Sequence, residues 1–165
     1  MPEETPPQKT MTVSDLRQMA ELYHVPMSEE TLKGIAGDSV TPEKSKAFEE
    51  YIKMTAKGLY PTLAKQIDAG IPTGYLLDPY RQVAKQKLGE QYEPNFQTDP
   101  NAIAALTGGT DPTTGRPAPM SLEEWKQHIM SEPSFGYDKT PEAMDKAQKI
   151  IAALHDGFTA PRGAQ

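Results

Sequence analysis

Apolar residues recur along this chain at the three- and four-residue steps of an amphipathic helix, in short runs interrupted by proline and glycine. The pattern predicts a first helix from near Ser14, with Leu16, Met19, Ala20 and Tyr23 on one face, ending before His24-Val25-Pro26 because the residue preceding a proline avoids the helical region. Ser28 is placed to cap a second, short helix carrying Leu32 and Ile35, which Gly37 closes. Thr41-Pro42-Glu43 supplies an N-cap, a first-turn proline and a first-turn acid for a third. Its apolar face runs through Phe48, Ile52, Ala56, Leu59, Leu63 and Ile67. Pro61 falls inside that face and predicts a kink or break between positions 58 and 61; Gly70 then stops the segment.

Asp78-Pro79 is read as the start of the next helix, with Tyr80, Val83, Ala84 and Leu88 facing inward. Between positions 90 and 120 the periodicity dissolves, leaving one short helix at 99–106 and a turn-rich loop at 107–119 with room for a small hairpin. Ser121 and Glu124 have the spacing of a capping box ahead of Leu122, Trp125 and Ile129. Thr140-Pro141-Glu142 opens a last helix whose expected buried face is Ala143, Ala147, Ile150, Ile151, Leu154 and Phe158. The fold class expected is all-α, a compact bundle of about six short helices with a long irregular loop near residues 90–120. A single helical domain is expected over 13–158, between a flexible arm at 1–12 and a flexible tail at 159–165. Leu59, Tyr60, Pro61, Leu63, Ile67, Gly70, Pro79, Tyr80, Val83, Trp125, Ile151 and Leu154 are the positions expected to form core and turns.

Composition narrows what such a bundle does. Only 36% of residues are hydrophobic, and 12 Gly and 16 Pro fit short helices joined by turns rather than a thick apolar core. No cysteine is present, which removes disulfides, thiolate nucleophiles and thiolate metal sites. No run approaches the roughly 20 apolar residues that span a bilayer, so no membrane anchor is expected. MPEETPPQKT has neither the basic start nor the apolar run of a signal peptide, so synthesis in a cytoplasm is expected. A net charge of −6 argues against a general nucleic-acid binder.

The remaining chemistry is sparse. His24, His128 and His155 are far apart in sequence, and the paired glutamates look like first-turn and polar-face residues, so no metal, cofactor or catalytic residue is expected. The run from Gly109 to Arg116 lacks the Lys-Ser/Thr of a phosphate loop, and DPTTG lacks the alternating oxygen ligands of a calcium loop. Lys53, Lys57, Lys65, Arg81, Lys85 and Lys87 give the central helices a local basic surplus, of which Lys53, Lys57, Arg81 and Lys85 are the contact candidates. Together with Arg116, Phe135 and Tyr137 they are candidate contact residues, against the plainer reading that Glu49, Glu50 and Asp68 pair with the lysines on a solvated face.

The order of several short motifs resembles a module of virion structural proteins from tailed phages of actinobacteria. Leu59-Tyr60-Pro61, Gln66-Ile67-Asp68-Ala69-Gly70 and Pro79-Tyr80-Arg81-Gln82 match its first part. Asp111-Pro112, Met120-Ser121-Leu122, Trp125, Phe135-Gly136-Tyr137 and Thr140 match its second. The likeness covers about 13–158, and Gly157-Phe158 stands where the pattern has Phe-Gly. The resemblance implies a non-enzymatic tape-measure-like, internal, head–tail or tail component of a virion. Such a component binds other virion proteins and acts as a homo-oligomer or in multiple copies. The turns at 107–119 and 133–139 and both ends of the chain would be its contact segments. The alternative of another class is a small nucleic-acid-associated or regulatory binding protein using the basic residues of the central helices.

Overall fold

The computed structural model describes residues 11–159, the side chains of Phe158 and Thr159 excepted. Eight α-helices among the described residues make the protein predominantly all-α, as the apolar spacing implies. The chain divides into two compact units, one of Met1–Pro79 and Leu106–Pro119, the other of Tyr80–Ala105 and Met120–Gln165.

In the first unit, helix α1 (Val13–Leu22) begins at Thr12, not Ser14, because Thr12 and Asp15 cap each other's backbone groups reciprocally. Met11 forms an isolated antiparallel bridge with Val40, while residues 1–10 of the expected arm and 160–165 of the expected tail lie outside the described residues. Ser28 caps α2 (Glu29–Ala36), and Gly37 ends it at φ 55°. Lys44 then donates to the carbonyls of Ala36 and Ser39. Thr41 caps α3 (Pro42–Leu59) with Pro42 in its first turn.

The proline break falls where the spacing places it. The helix stops at Leu59, Tyr60 leaves the helical region at φ −130° and ψ 68°, and a 3-10 turn at Pro61–Leu63 leads into α4 (Ala64–Asp68). That bend decides which side chain points inward. Tyr60 is buried, whereas Leu59, expected in the core, is 39% exposed, and Pro61 is exposed. Phe48, Ile52, Ala56, Leu63 and Ile67 are buried, and Gly70 turns the chain at φ 87°.

One expectation from the middle of the chain is corrected. Helix α5 (Thr73–Leu88) starts five residues before Asp78, with Pro79 inside it rather than at its first turn. The proline removes the donor for the carbonyl of Tyr75, but Tyr75 is exposed, so water can satisfy that group. Fully buried Thr73 and Leu77 fix the turn that precedes it, and Gly74 lets its backbone reach the end of α1. A Cβ there would lie 2.9 Å from the carbonyl oxygen of Leu22. The irregular loop near residues 90–120 carries the short helix and the small hairpin that the spacing allows. It contains α6 (Pro100–Thr107) and a two-stranded hairpin, β1 (Gly109–Thr110) and β2 (Pro117–Ala118), with Gly109 opposite Ala118 and Thr110 opposite Pro117. Gly109 is required there, because a Cβ would meet the Pro119 carbonyl oxygen at 2.4 Å. In the hairpin turn the Asp111 carboxylate accepts from the backbone N–H of Thr113 at 2.8 Å.

In the second unit, Trp125 of α7 (Leu122–Ser131) is fully buried and its indole N–H donates to the Tyr80 carbonyl at 2.9 Å. The Tyr80 hydroxyl donates to the Met120 carbonyl at 2.6 Å, and burial raises its pKa. Phe135 meets Trp125 edge-on at 5.7 Å, and His128 stacks on the indole at 5.8 Å. Tyr80 and Val83 are half-buried rather than central, with Ala84 fully buried on the inner line of α5.

Ile67→Asp is expected to destabilise the protein by at least about 3 kcal/mol, because it places an unpaired carboxylate at a fully buried position. A urea midpoint within error of wild type would exclude that core assignment. Gly74→Ala is expected to cost about 1–3 kcal/mol, since its Cβ meets backbone rather than a movable side chain. Thermal unfolding of the two proteins side by side measures it.

Candidate interaction surface

The last helix, α8 (Pro141–Thr159), is the least covered element among the described residues. Its start is well made. Gly136, in the left-handed region at φ 66°, links two 3-10 turns at Pro133–Phe135 and Tyr137–Lys139. Thr140 donates its hydroxyl to the Tyr137 carbonyl at 2.6 Å and accepts from the N–H of Ala143 at 3.3 Å. Glu142 in the first turn accepts from Lys87 and from Lys146, each at 2.8 Å. Lys146 also donates to the Tyr137 hydroxyl at 3.3 Å. Hydrogen bonds from Lys146 first, and then from Lys87, hold the Glu142 pKa down from the ordinary 4.5 to about 2.

Beyond this fastening the helix is in solvent. Every residue from Met144 to Gly157 is exposed. Met144, Ile150, Ile151 and Leu154 are 54%, 61%, 65% and 58% accessible. Spacing alone assigns Ile151 and Leu154 to the core, and the structure corrects both: the apolar stripe exists but is not covered by the described residues of its unit. Met144 shares that stripe. The opposite face carries its own ion pair, Lys149 to Asp145 at 2.8 Å.

The other candidate contact residues are less available. Lys53 pairs with Glu49 at 2.6 Å and Lys57 with Asp68 at 2.7 Å. Arg81 and Lys85 share the Glu93 carboxylate, whose pKa is lowered chiefly by the hydrogen bond from Lys85. Tyr137 is only 7% exposed and Phe135 is half-buried in the aromatic group around Trp125, so neither forms an open surface. Arg116 is exposed at the hairpin turn. Lys53, Lys57, Arg81 and Lys85 are thus each paired with a neighbouring carboxylate.

Two hollows open on the first unit. One of about 380 Å³ is lined mainly by Ile35, Ala47, Phe48 and Tyr51, with Thr31 and Lys44 at its border. The other, of about 490 Å³, runs beside α1 and includes Asp15 and Glu49. Asp15 is engaged in the cap of α1 and Glu49 in its pair with Lys53, so neither hollow assembles a free acid–base pair. Among the described residues, no three His, Cys, Asp or Glu side chains are grouped to hold a metal ion, and no helix is long and apolar enough to cross a membrane.

Because the Glu142 pKa is depressed, its ion pairs contribute stability above pH 4.5 and lose it as the pH falls towards 2. An NMR titration of the Glu142 carboxyl is expected to show a midpoint near 2, moving back towards 4.5 in Lys146→Ala. An unmoved midpoint in that variant would show that the pairing is not made in solution. Comparison of the chain with protein-family models, with curated proteins and with solved structures gives no match.

Proposed function

We propose that this chain is a non-enzymatic structural and assembly component of a tailed-phage virion, made in the host cytoplasm. It works through contacts with other virion proteins and in multiple copies. The observation that carries the assembly reading is the solvent-facing apolar stripe of α8. Exposed apolar patches on an otherwise polar protein mark interaction sites. The virion itself is supported by the ordered motifs from Leu59-Tyr60-Pro61 to Thr140. Burial gives several of these motif residues packing roles. Tyr60 and Ile67 are buried at the proline break, Trp125 centres its unit, and Gly136 and Thr140 build the start of α8. Under this reading the motifs shape a scaffold that presents a terminal helix. The nucleic-acid alternative loses support from the carboxylate partners of Lys53, Lys57, Arg81 and Lys85, because phosphate binding draws on uncompensated cations.

The test is mass spectrometry of gradient-purified particles of the phage whose genome encodes the chain. Peptides of this protein are expected at a fixed ratio to the other structural proteins after a high-salt wash. Their absence from the particles, together with a salt-sensitive shift of DNA in a gel, would replace the virion reading with the nucleic-acid one.

A further inference from the structure

We infer that α8 is a self-association helix, and that the partner of its apolar stripe is the same stripe on a second copy of this chain. Self-pairing deepens the assembly reading by naming the surface and one occupant.

Four observations carry it. The first is spacing. Met144, Ala147, Ile151, Leu154 and Phe158 follow one another in alternating steps of three and four, a heptad seam with Ile at one core position and Leu at the next. Ile150 lies beside the seam and widens it. The second is exposure: Met144, Ile150, Ile151 and Leu154 are each more than half accessible, whereas α3 buries Phe48, Ile52 and Ala56 and α7 buries Trp125 and Ile129.

The third concerns the segments that flank the described residues. The segments outside the described residues read MPEETPPQKT and APRGAQ. Apart from Met1 they hold no large apolar side chain, so neither can seat an aliphatic face against Ile150, Ile151 and Leu154.

The fourth is charge. Pairing helices choose unlike partners through charged residues along the borders of the seam. Here the borders carry Gln148, His155 and Ile150, with no acid, lysine or arginine. Glu142 and Lys146 pair with each other in the first turn, as do Asp145 and Lys149 on the far face. Two copies therefore meet without like charges opposed, even though each chain carries a net −6. A two-fold pairing places the same residues on both sides, which an uncharged seam of this kind satisfies.

Size sets the strength. A helix of 19 residues is about 28 Å long, so the pair belongs at the low end of specific interfaces, below about 1,200 Å². A weak, reversible dimer is the expected consequence, since weak and transient encounters occupy that end of the size range.

Sedimentation equilibrium of the purified full chain across about 1–500 µM tests this. Wild type is expected to pass from monomer to dimer over that range. Ile151→Asp combined with Leu154→Asp is expected to weaken pairing by at least about 100-fold, leaving a monomer. Both positions are exposed, so the cooperative unfolding transition should be retained. Ala152→Glu, on the polar side of the same helix, is expected to dimerise as wild type does. A wild-type protein that stays monomeric throughout, or a dimer that survives the double substitution, overturns the proposal. Neither result bears on whether the chain is found in purified particles, so self-pairing and the virion reading fail separately.

Discussion

The Glu142 carboxylate is where the most exposed of the described helices is fastened. It sits in the first turn of α8 and receives two ammonium groups, Lys146 from the same helix and Lys87 from α5. Both are charge-assisted hydrogen bonds, and an acid near a helix N-terminus also meets the favourable end of the backbone dipole. The Thr140 cap and the Lys146 contact to Tyr137 add to the same turn. After Lys146 the residues through Gly157 are exposed, so the fastening is concentrated at one end. One well-satisfied turn therefore positions a face of four large apolar side chains, and the interaction chemistry of the second unit follows from that.

The sequence is most legible where local chemistry decides the outcome. Ser28, Thr41, Ser121 and Thr140 each cap the helix that the spacing assigns to them, because a hydroxyl accepting from a backbone N–H acts within four residues. The proline break at Pro61 is visible for the same reason: a missing donor and a steric clash are properties of the residue itself. Asp78-Pro79 carries an equally good local signal and misleads. The competing start at Thr73 is held by burial of Thr73 and Leu77 and by the approach of Gly74 to Leu22, and a linear reading displays none of these. The hairpin at 109–118 is legible only as an option, since Gly109 and the Asp111 turn are ordinary loop residues until the strands are placed.

The candidate site is the least legible part, and the reason lies in periodicity. A stripe of Met144, Ile150, Ile151 and Leu154 has the same spacing whether it faces its own core or another chain. Amphipathicity records that a face needs burial and says nothing about by what. In α3 the partner is local, and Phe48, Ile52 and Ala56 are buried as expected. In α8 the identical signal points outward. What distinguishes them is arithmetic over the unit: the second unit fills its interior with Trp125, Ile129, Phe96, Ala102 and Ala105, leaving the aliphatic residues of α8 outside.

That exposure has a consequence for the helix itself. A helix in a protein draws most of its stability from packing of its apolar face, because nucleation is costly. In α8 the packing is confined to the first turn, and the remainder relies on intrahelical pairs such as Lys149 with Asp145, which solvent screens. A second apolar seam laid against Ile151 and Leu154 would supply the missing burial to both helices at once. Helix formation and pairing would then reinforce each other, each supplying burial that the other needs. The cap at Thr140 and the carboxylate of Glu142 lie at the other end of the helix, where they hold its start.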